Sequence, residues 1–188
     1  MEPVADTFPR LLLAHARSRP DDPATREKDL GIWQTWTWRE VADEVRAIAC
    51  GLAAEGFGRG MHLAIVGDNR PRLYWAMTAA QALGGVPVPL YQDAVAEEMA
   101  FVLEHAEARF AVAEDQEQVD KLLAIKGRLP GLEIIVFCDG RGMRHYAQPF
   151  LLDYAAIQQK GRELAAAKPD FLAAEIAKGG GGDTAIIV

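Results

Sequence analysis

The clearest hydrophobic pattern in the first sixty residues is a stripe of apolar side chains spaced three and four positions apart. This spacing is typical of one face of an amphipathic helix. Thr37 and Glu40 form a capping box at its start, and Gly56 ends it. We therefore expect a long helix that buries this stripe. The stripe consists of Val41, Val45, Ile48 and Leu52.

Two shorter elements precede this helix. Residues 7–18 are predicted to form a helix, because Thr7 can cap its first turn and the Arg-Pro pair at 19–20 ends it. Residues 24–28 and 31–37 are separated by a short turn, and the second stretch is rich in tryptophan. Aromatic, strand-like residues on both sides of a short turn indicate a β-hairpin.

From residue 61 onwards the pattern changes, and short apolar runs alternate with helical stretches. Such alternation indicates a mainly parallel sheet that is covered by helices on its faces. The two prolines of residues 86–90 argue against a central position for that strand. Strands are predicted at 62–66, 86–90, 110–112 and 132–137, and helices at 70–83, 95–106 and 117–126.

The last part of the chain is predicted to contain a loop, two helices and a strand. Residues 140–148 are loop-like, and residues 150–167 and 171–178 have helical composition. The glycine run Gly179–Gly182 is expected to be a flexible connection. Residues 183–188 are apolar and β-branched, which predicts a buried strand. Because a core strand normally has a following loop and helix, we expect the chain to be part of a longer protein.

Composition and charge narrow the function classes. The chain has 188 residues, of which half are apolar and a quarter charged, and its net charge is −7. This balance argues against a nucleic-acid binder that neutralises phosphates. The acidic excess lies in residues 93–120, and we expect solvated helix faces there, with an acidic docking face as the alternative. Its members are Asp93, Glu97, Glu98, Glu104, Glu107, Glu114, Asp115, Glu117 and Asp120.

The lack of a recognisable targeting signal and the small number of cysteines predict a cytoplasmic location. No apolar run approaches the roughly 20 residues of a membrane-spanning helix. The acidic N-terminus lacks the cationic and apolar segments of a secretory signal. Cys50 and Cys138 are too few for a disulfide framework, which favours a reducing compartment. Both are expected to be core thiols.

Few residues are candidates for chemistry. The glycines of residues 56–60 follow a predicted helix and precede a strand, which is the wrong context for a dinucleotide loop. Asp68, Asn69 and Arg70 are better placed, because they follow a predicted strand and precede a helix, where ligands gather in α/β sheets. We expect them in the wall of a cleft, with Asp68 or Asn69 capping the next helix. The sequence indicates no catalytic residue and no metal site.

Several stretches together resemble the N-terminal portion of adenylate-forming enzymes, most closely the long-chain acyl-CoA synthetase (AMP-binding) family. Each motif is weakly or moderately specific, but their order along the chain is that of the family. The matching stretches are Arg19-Pro-Asp-Asp-Pro-Ala24, Trp36-Thr-Trp-Arg-Glu-Val41, Val66-Gly-Asp-Asn-Arg-Pro71 with Trp75, Gly84-Gly-Val-Pro-Val-Pro-Leu-Tyr91 with the helix through His105, and Asp183-Thr-Ala-Ile-Ile-Val188.

The resemblance implies an α/β fold that is the incomplete N-terminal part of an acyl-CoA synthetase-like domain. Residues 1–60 would hold a helix, a hairpin and the first long helix, residues 61–140 an alternating β/α unit, and residues 141–188 helices leading to a core strand. The chain would end before the family's phosphate-binding loop. The anchor of this hypothesis is that residues 183–188 are an interior strand.

The function that the resemblance implies is fatty-acid–CoA ligation through an acyl-adenylate. The intact enzyme would use ATP, Mg²⁺, coenzyme A and a carboxylic acid, expected to be a fatty acid. The chain by itself would be inactive and bind no cofactor, and it would self-associate through an uncovered sheet edge. Arg72 and the pair Gln92-Asp93 depart from the family's usual residues and leave the acyl class open. The alternatives are a flavodoxin-like binding or regulatory module and a nicotinamide-dependent oxidoreductase.

Overall fold

The structure, a computed structural model, describes residues 5–188. It is an α/β fold built from a small hairpin and a five-stranded parallel sheet with helices on both faces. The helices are α1 (Phe8–Ser18), α2 (Trp38–Ala54), α3 (Pro71–Ala82), α4 (Ala96–His105), α5 (Gln116–Ile125), α6 (Tyr154–Ala167) and α7 (Phe171–Ala177). The strands are β1 (Pro23–Asp29), β2 (Ile32–Thr37), β3 (His62–Val66), β4 (Val86–Leu90), β5 (Phe110–Ala113), β6 (Ile134–Phe137) and β7 (Leu151–Asp153).

The large sheet has the strand order β4-β3-β5-β6-β7, and every neighbouring pair is parallel. The central strands alternate between the two faces, as the two-residue period of a strand requires. Leu63 and Ile65 of β3 pack on the side of α2, α3 and α6, while Ala64 and Val66 pack on the side of α4 and α5. Two apolar cores therefore lie on opposite faces of one sheet. The predicted fold class is confirmed.

Local signals in the sequence account for most element boundaries. Thr37 and Glu40 form the capping box of α2, since the Thr37 hydroxyl accepts from the Glu40 N–H and the Glu40 carboxylate accepts from the Thr37 N–H. Thr7 caps α1 with a single hydrogen bond, which its hydroxyl accepts from the Arg10 N–H. The hairpin turns at Leu30-Gly31, where both residues have positive φ. These predictions are confirmed.

Helices α2 and α6 approach each other so closely that their crossing has room only for glycine. A Cβ added at Gly161 would lie 1.8 Å from the Ala47 carbonyl oxygen, and one added at Gly51 would lie 2.1 Å from that of Ile157. Both clashes are with backbone atoms, which cannot turn aside as a flexible side chain can. The crossing thus fixes α6 directly on the backbone of α2.

The prediction of one continuous helix over residues 150–167 is wrong at its start. Leu151–Asp153 is a strand that pairs in parallel with β6, and α6 begins only at Tyr154. Asp153 is the physical reason for the break, because its carboxylate accepts hydrogen bonds from the Ala155 and Ala156 N–H groups and so caps α6.

The predicted core strand at residues 183–188 is also wrong. These residues are exposed and belong to no strand. They run beside β4 and form one backbone hydrogen bond to it, from the Ile187 N–H to the Pro87 carbonyl oxygen. The edge of β4 lacks the donors for a complete ladder, because Pro87 and Pro89 have no N–H. The prediction that those prolines keep β4 from a central position is confirmed.

Candidate functional site

The candidate site lies at the carboxyl ends of the parallel strands, where ligands of open α/β sheets bind. A cleft of about 720 Å³ opens there between the β1–β2 hairpin and the loops after β3, β5 and β6. Trp36 of the hairpin and Trp75 of α3 line it and meet edge to face, with their ring centroids 5.3 Å apart. The remaining lining is largely charged, and includes Glu27, Asp29, Arg70, Arg72, Glu114, Asp139 and Arg141.

Arg70 connects the hairpin to the sheet across this cleft. Its Nε donates to Glu114 Oε1 and its Nη1 to Glu27 Oε1, both at 3.0 Å. These two carboxylates raise the pKa of the Arg70 guanidinium, the hydrogen bond to Glu114 contributing most. Arg70 is therefore held between residues of β1 and of the loop after β5, and it fixes the width of the cleft.

Glu114 also determines the shape of the loop after β3. Its Oε2 accepts from the Asp68 N–H at 2.6 Å. A side chain at Gly67 would collide with Glu114, because an added Cβ would lie 2.5 Å from the Glu114 Cβ. Glycine at this position thus lets the Glu114 carboxylate reach both the backbone of the loop and Arg70.

The structure separates the three residues that the sequence places in a cleft wall. Arg70 lines the cleft under the hairpin, whereas Asp68 and Asn69 line a second cleft of about 480 Å³ beside the end of β4. The prediction that Asp68 or Asn69 caps α3 is wrong, because Arg70 occupies the N-cap position and makes no side-chain cap. Asp68 instead accepts from the Asn69 N–H, and Asn69 accepts from the Tyr74 hydroxyl. These local turns satisfy both side chains away from the helix end.

The second side of the hairpin cleft is formed by the loop after β6. Burial raises the pKa of the Cys138 thiol, and it raises that of the Tyr154 phenol in the same region. Arg141 hydrogen-bonds Asp139 and lowers the pKa of its carboxyl. Cys138 therefore stays a neutral thiol at ordinary pH and is a packing group rather than a nucleophile. Cys50 is buried in the core, as predicted, whereas Cys138 is half-buried and packs against the edge of the same core.

A third cavity, of about 190 Å³, lies between the start of α1 and the glycine run at residues 179–182. The run has defined contacts there. Arg10 donates to the carbonyl oxygens of Ala177 and Gly179, and Asp6 accepts from the Gly181 N–H at 2.9 Å. The predicted flexible connection is thus fastened to α1 by two charged side chains.

The residues that the structure describes, 5–188, do not by themselves fit a magnesium–nucleotide complex. Within residues 5–188, no three histidine, cysteine, aspartate or glutamate side chains gather in a way that could hold a metal ion. The arginines of the hairpin cleft already bind acceptors within the chain. Arg70 forms ion pairs with two glutamates, Arg72 donates to the Cys138 carbonyl oxygen, and Arg141 forms an ion pair with Asp139.

No helix in the described part of the chain is long and apolar enough to cross a membrane.

Comparison with known proteins places the chain in a family. The family model for the AMP-binding enzyme matches residues 12–174. The chain is 30% identical over 139 residues to the long-chain-fatty-acid–CoA ligase FadD15 of Mycobacterium bovis, covering 73% of this chain but only 23% of that relative. It is 35% identical over 121 residues to the uncharacterized protein Rv1549 of Mycobacterium tuberculosis, covering 64% of this chain and 66% of that protein.

The fold has relatives among solved structures. Acetoacetyl-CoA synthetase from Streptomyces lividans superposes with a TM-score of 0.72 at 22% sequence identity, covering 81% of this chain and 25% of that one. At this identity the likeness concerns the fold alone. The match over residues 12–174 includes the whole large sheet and does not need residues 183–188, so the family assignment stands although its expected anchor, the final strand, is wrong.

Proposed function

Because the chain belongs to the AMP-binding enzyme family, we propose that it is the N-terminal part of an ATP-dependent acyl-CoA ligase. The reaction would activate a carboxylic acid as an acyl-adenylate with release of pyrophosphate, and then transfer the acyl group to coenzyme A. The observation that carries this proposal is the family match across residues 12–174, which is continuous over the parallel sheet and the hairpin cleft.

We propose a fatty acid as the carboxylic acid. The support is the name of the curated relative FadD15, a long-chain-fatty-acid–CoA ligase that matches 139 residues of this chain. The solved acetoacetyl-CoA synthetase shares the fold and acts on a short acid, so the fold does not distinguish acyl lengths. Free thiols at Cys50 and Cys138 are compatible with the cytoplasm as the place of this reaction.

In this proposal the chain contributes shape rather than reacting groups. Developing charge on transferred phosphate needs preorganised N–H donors and cations. Among residues 5–188, the arginines of the hairpin cleft are already bound to acceptors of the chain. The Arg70 bridge holds the hairpin at a fixed distance from the strand ends, and so sets the wall of the cleft. Residues 1–188 alone are therefore expected to be inactive.

The test is pyrophosphate exchange into ATP in the presence of fatty acids of increasing length. Residues 1–188 alone are expected to show no exchange above background. The same residues, expressed in one piece with the reading frame that follows them in the gene, are expected to show exchange that depends on the fatty acid. Exchange by residues 1–188 alone would overturn the proposed division of roles, and no exchange by the longer protein with any carboxylic acid would overturn the ligase.

The two alternatives are separated by titration. A flavodoxin-like module would bind flavin mononucleotide, and an oxidoreductase domain would bind a nicotinamide dinucleotide, each followed by fluorescence on residues 1–188. We expect no saturable binding of either, because the glycines of residues 56–60 connect α2 to β3 and do not open a helix toward a phosphate.

A further inference from the structure

The outer edge of β4 presents hydrogen-bond acceptors without donors. The Val86 N–H donates to the Met61 carbonyl oxygen at 2.9 Å. The backbone N–H and C=O groups of Val86, and of every second residue after it, therefore point toward β3. Pro87 and Pro89 then face outward. Their carbonyl oxygens are free to accept on that side, but proline has no N–H to donate. An edge with acceptors but no donors can form only half of the hydrogen bonds of a normal ladder.

Residues 184–188 run along this edge in the direction of β4. Ala185 lines the same cavity as Gly84 and Gly85, and Val188 lines the same cleft as Pro89 and Leu90. Between them, the Ile187 N–H donates to the Pro87 carbonyl oxygen at 3.2 Å. The segment and β4 therefore run in the same direction, which is a parallel arrangement.

Parallel pairing defines which further bonds should exist. With Ile187 N–H on the Pro87 oxygen, a complete ladder also has the N–H of position 87 donating to the Ala185 oxygen and that of position 89 donating to the Ile187 oxygen. Both donors are absent because both residues are proline. The structure replaces the first of them: Gln81 Nε2 donates to the Ala185 carbonyl oxygen at 2.7 Å.

We propose that the outer edge of β4 is a docking surface for residues 184–188, on which Gln81 supplies the hydrogen bond that Pro87 cannot give. The register of the segment is then set by two bonds, one from Gln81 of α3 and one to Pro87. Arg59 steadies the start of the segment, since its Nη1 lies 3.5 Å from an Asp183 carboxylate oxygen.

Apolar burial contributes little to this docking. Ile186 and Ile187 remain 43% and 36% exposed, so much of their surface stays in water. The hydrogen bonds consequently decide where the segment lies, and the segment can detach without opening the core. Detachment would change both the cavity beside α1 and the cleft beside Asp68, since residues 183–185 line the first and Val188 lines the second.

The first experiment removes the Gln81 donor in the full 188-residue chain. Gln81→Glu and Gln81→Met both keep the length of the side chain and lose its N–H. One hydrogen bond corresponds to a change of about threefold to tenfold in a local opening equilibrium. We expect hydrogen exchange of the Ile187 amide to accelerate by that factor in both variants, with exchange in β3 unchanged. Unchanged exchange at Ile187 in both variants would overturn the role of Gln81.

The second experiment uses a matched pair of proline substitutions. Ile187→Pro removes the N–H that faces β4, whereas Ile186→Pro removes one that faces away in the parallel arrangement. ¹⁵N relaxation of Ala185 and Val188 is expected to show a mobile segment in the first variant and an ordered one in the second. Equal mobility in the two variants would show that the hydrogen bond from the Ile187 N–H does not hold the segment on β4, and would refute the proposal.

The third variant adds a bond. Pro89→Ala supplies an N–H opposite the Ile187 carbonyl oxygen, which is the second donor missing from the ladder. We expect Ile187 exchange to slow by about threefold to tenfold relative to the parent chain. No slowing, in a variant whose β3 exchange is unchanged, would mean that the segment does not lie in the inferred register.

Discussion

The crossing of α2 and α6 and the docking of residues 184–188 on β4 hold chain segments in opposite ways. At the crossing, Gly51 and Gly161 bring two helix backbones together with no room for a methyl group. At the β4 edge, one backbone bond and the Gln81 side chain hold a largely exposed segment. Close packing makes the first contact part of the core, whereas the second can open alone. We therefore expect some substitutions to unfold the protein and others only to release residues 184–188 from β4.

The largest effect is expected for Gly161→Ala. The new methyl group would collide with the Ala47 carbonyl oxygen and with the backbone of Gly51, so α6 must move away from α2. Overpacking of a tight core contact typically costs 1–3 kcal/mol, and a clash with backbone on the facing helix places this variant at the upper end, at about 3 kcal/mol of unfolding free energy. Urea unfolding followed by circular dichroism measures it.

Gly127→Ala is the matched control for that substitution. An added Cβ at Gly127 meets no atom within 4 Å. Its expected effect is a change of less than about 1 kcal/mol, in the stabilising direction, because alanine restricts the unfolded chain. If both variants lose the same stability, close approach is not what holds α6 on α2.

An intermediate effect is expected for Arg70→Met, which removes the bridge between the hairpin and the loop after β5. The Arg70 side chain is 44% exposed, so water screens its charge and the loss of unfolding free energy is expected to be about 1 kcal/mol at low salt. The loss should shrink at high salt, as for any screened ion pair. Urea midpoints at two salt concentrations provide the measurement.

Arg141→Met serves as the comparison, since the Arg141 side chain is 81% exposed and its ion pair is with Asp139 of its own loop. We expect no more than about 0.5 kcal/mol for it. An equal, salt-dependent loss in both variants would mean that the hairpin is not held by Arg70.

The smallest global effect is expected for Ile187→Pro. The proposed local release leaves the sheet and both cores intact, so the unfolding free energy should change by less than about 0.5 kcal/mol. A loss approaching that of Gly161→Ala would erase the distinction between the two regions, and would make residues 184–188 part of the cooperative core.

Local sequence signals predict the elements whose ends depend on nearby residues. The N-cap of α1, the capping box of α2 and the turn of the hairpin each involve residues only a few positions apart, and the structure confirms them. Strand β7 is not predicted because it has only three residues, too few to show a two-residue period, and because its existence depends on pairing with β6 rather than on a local signal. Asp153 is the signal that could have located the start of α6.

At residues 183–188 the error is of the opposite kind, because a strand is predicted there and the structure has none. Their β-branched composition predicts a strand, but a ladder also depends on the donors of its neighbour. Those donors are missing at Pro87 and Pro89, which lie about one hundred positions earlier in the sequence. Composition of one segment therefore does not determine whether it is paired.

The candidate site was predictable in its place but not in its connections. The position of Asp68, Asn69 and Arg70 after a strand indicates the carboxyl edge of the sheet, and all three lie there. Glu114 is missing from the sequence-based set, because its partners Arg70 and Asp68 are more than forty residues away. Its position directly after β5 is the one signal that could have suggested it.

The prolines of β4 also decide how copies of the molecule can meet. If the β4 edges of two copies met, carbonyl oxygens would face carbonyl oxygens with no amide hydrogen between them. The two edges would repel each other and could not form a continuous intermolecular sheet. Should the chain self-associate, as the sequence leads us to expect, its copies will join through another surface. Replacing both prolines would be expected to strengthen the pairing of residues 184–188 with this edge, which would leave less of it for another copy.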